Sequence, residues 1–298
     1  MLNELEKIRY SRHFLLEGWN ENTQEKLKEL TVFVAGAGGT GSPTITMLAL
    51  LGVGRIRICD FDVFEESNKN RQFIHSIGDE RVGMNKAQSA AMTVHNINPN
   101  VTVEYFDERF DESNIDEMVD GAQLIFDCVD QFKYKFILAD CAARKGIPML
   151  FYGIMDYNIF GYIFDPGRTA CFHCLFDERR ISLIDSGMCR KGNVAVMSPT
   201  LFTSAGIMVS EAVKLVTGYD EPSYNTFYLG FGKRTQISQQ KGVRAFRYWN
   251  TAYFNQTSRE QGFNWRTRDE AQMFETLYVP RNQSCPYCGK KHETVQTA

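Results

Sequence analysis

Val32-Phe33-Val34-Ala35-Gly36-Ala37-Gly38-Gly39-Thr40-Gly41 carries a β-branched, apolar strand into a glycine cluster, and an apolar helical stretch, Pro43–Leu51, follows at once. The spacing Gly36-x-Gly38-x-x-Gly41 permits a tight turn and close approach of the backbone to phosphates. The helix behind it presents unpaired N–H groups and a partial positive charge to an anion. Gly36, Gly38, Gly39 and Gly41 are therefore candidate nucleotide-binding positions. Asp60 ends the next strand, where a carboxylate can accept hydrogen bonds from ribose hydroxyls. Strand, glycine turn, helix and downstream acid together define the first βαβ unit of a doubly wound α/β fold. The motif by itself does not separate NAD, FAD and ATP.

Outward from that unit the alternation continues. Strands are expected at Thr31–Ala35, Arg55–Asp60, Val101–Phe106, Leu124–Cys128 and Met149–Tyr152, and helices at Gly83–Asn96, Ile115–Val119 and Lys133–Lys145. Alternating elements with buried apolar strands imply a Rossmann-like, mostly parallel sheet with ligands at the carboxyl ends of its strands. After Gly153 the pattern changes. A strand at Ile159–Phe164, an irregular stretch to about Met197, an apolar helix at Leu201–Val216 and late strands at Thr226–Leu229 and Thr235–Ser238 are expected. Residues 240–284, with Trp249, Tyr253, Phe254 and Trp265, give only a weak structural reading. The expected organisation is a single domain: an N-terminal arm (1–30), a nucleotide-binding half (31–153) and an acceptor-binding half (154–298).

Composition narrows the function. The 298 residues carry 33 basic and 36 acidic side chains, a formal charge of −3, which argues against a nucleic-acid partner. No apolar run approaches the ~18 residues of a membrane span. The N-terminus has no apolar signal core, so a cytoplasmic chain is expected. In that setting the eight cysteines are expected as thiols, metal ligands or catalytic groups rather than disulfides.

What separates a dinucleotide from ATP lies beyond Asp60. Arg71 follows the second strand, Lys86 opens a helix and Asp130 follows the fourth strand, all at the carboxyl edge beside the glycine turn. A triphosphate with Mg²⁺ needs cations on its phosphates and a carboxylate for the metal, and these three residues supply both. Taken singly, Arg71 reads better as a surface ion pair, Lys86 as a solvated helix residue and Asp130 as a helix N-cap. Their convergence favours ATP.

With these residues in place, the chain resembles the ThiF/MoeB/HesA adenylyltransferases, relatives of ubiquitin-activating enzymes. The resemblance begins at Arg9-Tyr10-Ser11-Arg12-His13. It runs through Gly36–Gly41, Asp60–Gln72, Lys86, Asp127–Asp130 and Gly161–Phe176, and ends at Cys285-x-x-Cys288. It implies ATP-dependent adenylylation of a C-terminal carboxylate of a ubiquitin-like sulfur carrier, with release of pyrophosphate. Carried over, Gly38, Gly39 and Gly41 hold the nucleotide backbone and Asp60 its ribose. Asn68, Arg71 and Lys86 contact phosphates and Asp130 binds Mg²⁺. Arg12 matches an arginine that reaches into the partner's site of a homodimer, and Gln72 a pocket residue of less definite role.

The cysteines divide. Cys171-x-x-Cys174 and Cys285-x-x-Cys288 have metal-ligand spacing, and four thiolates suit a closed, structural Zn²⁺ site that would pin the C-terminal lobe to the body. The alternative is four reduced thiols or transient disulfides. His173, between the first pair, reads as a filler. Cys189 sits beside Arg190 and Lys191, which favour a thiolate. Its place resembles the family's loop cysteine, which joins the carrier through sulfur in some members and is dispensable in others, and both readings stand. Gly192–Pro199 departs from the family's usual glycine–valine run, which puts that role and the carrier in doubt. Cys59, Cys128 and Cys141 are expected as small core residues.

Other functions compete with this one. The family also includes members that adenylate short peptides or small carboxylates. An NAD-dependent oxidoreductase would use the same turn, but no proton-relay His/Lys pair stands near the sheet edge. An inactive, zinc-stabilised binding module has no reason to keep Arg12, Arg71, Lys86 and Asp130 together. Lys233, Arg234, Lys241, Arg244 and Arg247 suit either an acidic partner or a solvated strand face. The expected partner is a sulfur carrier or a peptide with a free C-terminal carboxylate.

Overall fold

A computed structural model of the chain describes residues 1–77, 81–155, 158–175, 196–222, 226–230, 274–277, 285 and 287. Two short helices lead in, α1 (Glu4–Arg9) and α2 (Glu21–Glu29). Both begin at an asparagine, Asn3 and Asn20, whose side-chain oxygen accepts a backbone N–H of the first turn. The glycine turn separates β1 (Thr31–Ala35) from α3 (Gly41–Leu51). Next come β2 (Arg55–Cys59), α4 (Lys86–Ile97), β3 (Thr102–Phe106), α5 (Ile115–Met118), β4 (Leu124–Asp127) and α6 (Phe132–Lys145). The later half holds β5 (Met149–Met155), β6 (Asn158–Phe164), α7 (Phe172–Leu175), α8 (Ser198–Thr217), β7 (Thr226–Gly230) and β8 (Phe274–Leu277).

The eight strands form one sheet in the order β3-β2-β1-β4-β5-β6-β7-β8. The first five in that order are mutually parallel, and β6, β7 and β8 add on antiparallel. β1 is flanked by β2 on one side and β4 on the other, so the crossovers after β1 and β3 leave in opposite directions and open a crevice at the carboxyl ends. The expected α/β, Rossmann-like, mostly parallel sheet is what the chain forms.

β1 is buried on both faces, and its alternation feeds two cores. Phe33 and Ala35 join Ile125, Leu138, Phe151 and Phe172 on the α6 side. Val32 and Val34 join Ile45, Leu48, Ile58, Ala90 and Met208 on the α3, α4 and α8 side. Burial on both faces explains why this strand reads as an unbroken apolar run. No described helix is long and apolar enough to cross a membrane.

Most boundaries match the sequence reading within a few residues. β5 runs on past Tyr152 to Met155 because it forms an antiparallel ladder with β6, in register from Met149↔Phe164 to Met155↔Asn158. α8 begins at Ser198, ahead of the expected Leu201, with Pro199 in its first turn. Cys171 stands just ahead of a helical turn, α7, and Cys174 lies within it. β8 lies in the segment that gave only a weak reading. The expected strand at Thr235–Ser238 lies outside the described residues.

Candidate active site

The glycine turn is held by its neighbours at the crevice. Gly36 donates its N–H to Cys59 O at 2.7 Å and has φ +94°, a left-handed conformation that suits glycine. A Cβ at Gly41 would stand 2.0 Å from Gly36 O, so this glycine lets the turn close on itself. Thr40 Oγ1 donates to Cys128 O (3.2 Å), tying the turn to the end of β4. Ala37 is gripped at both polar atoms: its N–H donates to Asp60 Oδ2 (2.7 Å), and its carbonyl accepts from His75 Nε2 (2.8 Å). Among the described residues, the N–H groups of Gly38, Gly39 and Thr40 have no acceptor, and all three residues are partly exposed. Three successive amides without an acceptor among the described residues, ahead of a helix N-terminus, can donate to an anion.

Asp60 also accepts from the Asp62 N–H through Oδ1 (2.9 Å). Burial raises its carboxyl above the ordinary value, and Lys86 with the two amides opposes this without cancelling it. Lys86 is buried at the first position of α4, its Nζ 3.2 Å from Asp62 Oδ2. Asn85, the helix cap, donates to Asp60 O (2.9 Å), which laces the start of α4 to the end of β2. Asp60, Lys86 and the turn are thus one assembly. Gln72 belongs to it as well: it is buried, and its Nε2 lies 3.6 Å from the place a Cβ on Gly38 would take.

The other expected residues stand apart from that assembly. Asn68 is buried, accepts the Glu65 N–H and donates to Ser67 Oγ, so its amide caps its own turn. Arg71 donates to Ser67 O and to Asn70 Oδ1, both at 2.9 Å. Asp130 is exposed, two residues past Cys128, and its carboxylate makes no hydrogen bond or ion pair with any described residue. Arg12 is exposed and likewise unengaged among the described residues. Cys189 and Cys288 lie outside the described residues, as does the basic cluster from Lys233 to Arg247.

Two features were not read from the sequence. His75 is fully buried, and burial pushes its imidazole down to about 4. The neutral ring therefore carries its hydrogen on Nε2, the atom facing the Ala37 carbonyl. Asp127 and Lys135 form a buried pair at 3.0 Å beneath the site. A lone histidine inside Phe73-Ile74-His75, and a charge in each of two apolar elements, were the available signals.

Cys171, Cys174 and Cys285 are buried with their sulfurs together: Cys171 Sγ stands 3.7 Å from Cys174 Sγ and 3.6 Å from Cys285 Sγ. His173 turns to Asp140 Oδ1 (2.7 Å) and stacks on the Tyr287 ring, which fits its reading as a filler. Cys59, Cys128 and Cys141 are buried core residues, as expected, and burial pushes each thiol up to about 12.

A doubly wound sheet with a glycine turn, an acid bonded to that turn and a buried lysine at its switch point defines a nucleotide-binding fold. The chain belongs to the ThiF family, whose model matches residues 10–247. It is 39% identical over 170 residues to the SAMP-activating enzyme E1 of Haloferax volcanii, covering 57% of this chain and 62% of that one. It is 33% identical to the sulfur carrier protein ThiS adenylyltransferase of Bacillus subtilis, covering 77% of this chain and 67% of the relative. The chain thus spans about two thirds or less of the length of these two relatives. The crystal structure of E. coli MccB with ATP superposes with a TM-score of 0.72 at 22% identity, over 96% of this chain and 75% of that one, a likeness of fold alone.

Proposed function

We propose that the protein adenylylates the C-terminal carboxylate of a ubiquitin-like sulfur-carrier protein, using ATP and releasing pyrophosphate. The observation that carries this reading is the run of free amides at Gly38, Gly39 and Thr40, set between Asp60 and Lys86 at the switch point of a ThiF-family sheet. The names of the relatives, a ThiS adenylyltransferase and a SAMP-activating enzyme, point to carriers as acceptors.

In this reading the amides and Lys86 take the phosphates and Asp60 the ribose. Arg71 and Asn68 leave their own turn to join them. An acceptor carboxylate oxygen attacks the α-phosphorus, the bond from it to the bridging oxygen breaks, and that electron pair leaves with pyrophosphate. The carboxylate is already ionised at neutral pH, so no general base is required. The protein contributes position and charge neutralisation. Asp130, exposed and free of protein partners among the described residues, would hold Mg²⁺, which supplies charge neutralisation at the phosphates when bound.

Arg12 would complete the site of a second copy. It is exposed beside Leu5, Ile8 and Leu15, all at least 70% exposed, an apolar surface suited to a homodimer. The acceptor half would be pinned by Zn²⁺. Thiolates held tetrahedrally at ~2.3 Å from zinc lie about 3.8 Å apart, close to the observed sulfur separations. Cys171, Cys174, Cys285 and Cys288 would be its ligands, with 1–30 as arm, 31–153 as nucleotide half and 154–298 as acceptor half.

ATP–pyrophosphate exchange tests the reading. Exchange should depend on a carrier with a free C-terminus and fail with the same carrier amidated there. Stimulation by short peptides but not by carriers would move the acceptor to the peptide class. Unchanged exchange in both Asp130→Ala and Arg71→Ala would overturn the site.

A further inference from the structure

The mechanism above gives no task to the buried imidazole beside the turn. His75 is fully buried and sits three residues past Gln72, in the segment that also carries Arg71. Its Nε2 reaches Ala37 O at 2.8 Å across 38 positions of sequence. The only other side chain on that oxygen among the described residues is Ser42 Oγ, at a long 3.5 Å. Its other nitrogen, Nδ1, is buried with no partner among the described residues, where the ring's one hydrogen bond is that to Ala37.

The oxygen it holds has a particular meaning. Ala37 C=O and Gly38 N–H belong to the same planar, trans peptide unit and point in opposite directions. Gripping the oxygen from one side therefore fixes the aim of the Gly38 hydrogen on the other. The preceding unit is fixed separately, because the Ala37 N–H is bonded to Asp60. Without His75 the 37–38 unit is freer to turn between anchored neighbours, since the next carbonyl, Gly38 O, is held by the Ser42 N–H (2.9 Å) while Gly38 itself gives little torsional resistance. One of the three amides that form the anion surface would then lose its direction.

We propose that His75 is a positioning residue that aims the Gly38 N–H at the nucleotide phosphates by holding the far end of the same peptide unit. The inference rests on the nucleotide-binding reading given above. It identifies a donor requirement rather than a shape requirement at position 75. The side chain touches no substrate itself, and its effect falls on ATP binding more than on turnover.

Two substitutions separate donor from shape. His75→Phe restores an aromatic ring beside Phe64, whose ring centroid is 5.0 Å from that of His75, but removes the N–H. His75→Gln packs less well but carries an N–H at about the reach of Nε2. ATP affinity by calorimetry and the KM for ATP in exchange are measured for wild type and both variants, with apo melting temperatures alongside. His75→Phe should weaken ATP about tenfold, the effect of one misdirected hydrogen bond, with kcat changed less than about threefold. His75→Gln should return affinity to within about threefold of wild type, whatever its melting temperature. Equal affinity in all three proteins, or an affinity order that follows melting temperature, would overturn the inference. A wild-type protein that binds no ATP would instead overturn the nucleotide reading on which it stands.

Discussion

Lys135 Nζ lies 3.0 Å from Asp127 Oδ1, and both side chains are sealed from solvent, Lys135 at 4% and Asp127 at 0% exposure. Three residues further on, Asp130 is exposed. Two carboxylates at the end of one strand therefore stand in opposite environments, one sealed and paired, the other open to solvent. Removing Lys135 strands a buried carboxylate whose burial already raises it above the ordinary range. Lys135→Met should cost about 3–5 kcal/mol in urea unfolding. Asp130→Ala should stay within about 0.5 kcal/mol of wild type yet lower exchange by roughly 100-fold or more. Similar stability losses in the two variants would contradict this division.

Gly41 and Gly38 belong to one motif but answer to different constraints. A Cβ at position 41 meets backbone oxygen at 2.0 Å, whereas at 38 it meets only the Gln72 amide at 3.6 Å. Gly41→Ala should destabilise by about 3 kcal/mol, because the turn has to open. Gly38→Ala should leave the melting curve within about 0.5 kcal/mol and raise the KM for ATP, since the added methyl stands where phosphate approaches. Parallel melting and KM series would show it.

His75 links the site to acid stability. Its folded value of about 4 lies below the reference 6.5, with burial the main cause and Lys86 and Arg81 pushing the same way. Between those values the unfolded chain binds the proton and the folded one does not. The contribution is whole above pH 6.5, is lost as pH falls from there, and levels off below about 4. The gap corresponds to about 3 kcal/mol. The stability difference between wild type and His75→Gln should therefore shift by about that much, to the disadvantage of wild type, from pH 7 to pH 4. A difference that stays constant with pH would refute it.

The sulfur cluster predicts about one zinc per chain by elemental analysis. Removal by a chelator should lower the melting temperature by about 5–10 °C and leave the nucleotide half folded. Cys171→Ser and Cys288→Ser should each lose the metal. A protein free of zinc that melts at the same temperature as the zinc-loaded one would remove the clamp.

The parallel half was legible because its signals are local. β1 and β4 are short apolar runs and β2 alternates arginine with isoleucine, and the order of the three fixes where a crevice forms. Asp60 and Lys86 followed from position alone. β8 was not legible: Phe274-Glu275-Thr276-Leu277 is four residues long, and its identity comes from pairing with Thr226–Leu229, far away in sequence. His75 escaped for the same reason, since its partner is Ala37 and no spacing rule joins the two. Asn68 and Arg71 were named for phosphates, while their present bonds lie within their own turn, a local competition that side-chain type alone does not reveal.

The change of strand direction at β6 has a consequence for what can vary. Each parallel strand from β3 to β5 needs its own crossover, so inserting or removing chain there disturbs a helix on one face of the sheet. β7 and β8 are antiparallel neighbours, and such a pair needs no crossover over a face of the sheet. The chain leaves β7 at Gly230 and returns at Phe274, and closing a longer connection costs only about 0.6 kcal/mol for each doubling of its length. Chain can be added, shortened or exchanged between these two strands while Gly36, Asp60 and Lys86 keep their places. The molecule thus joins a parallel half whose geometry tolerates little alteration to an antiparallel edge where the length of the connection is far less constrained.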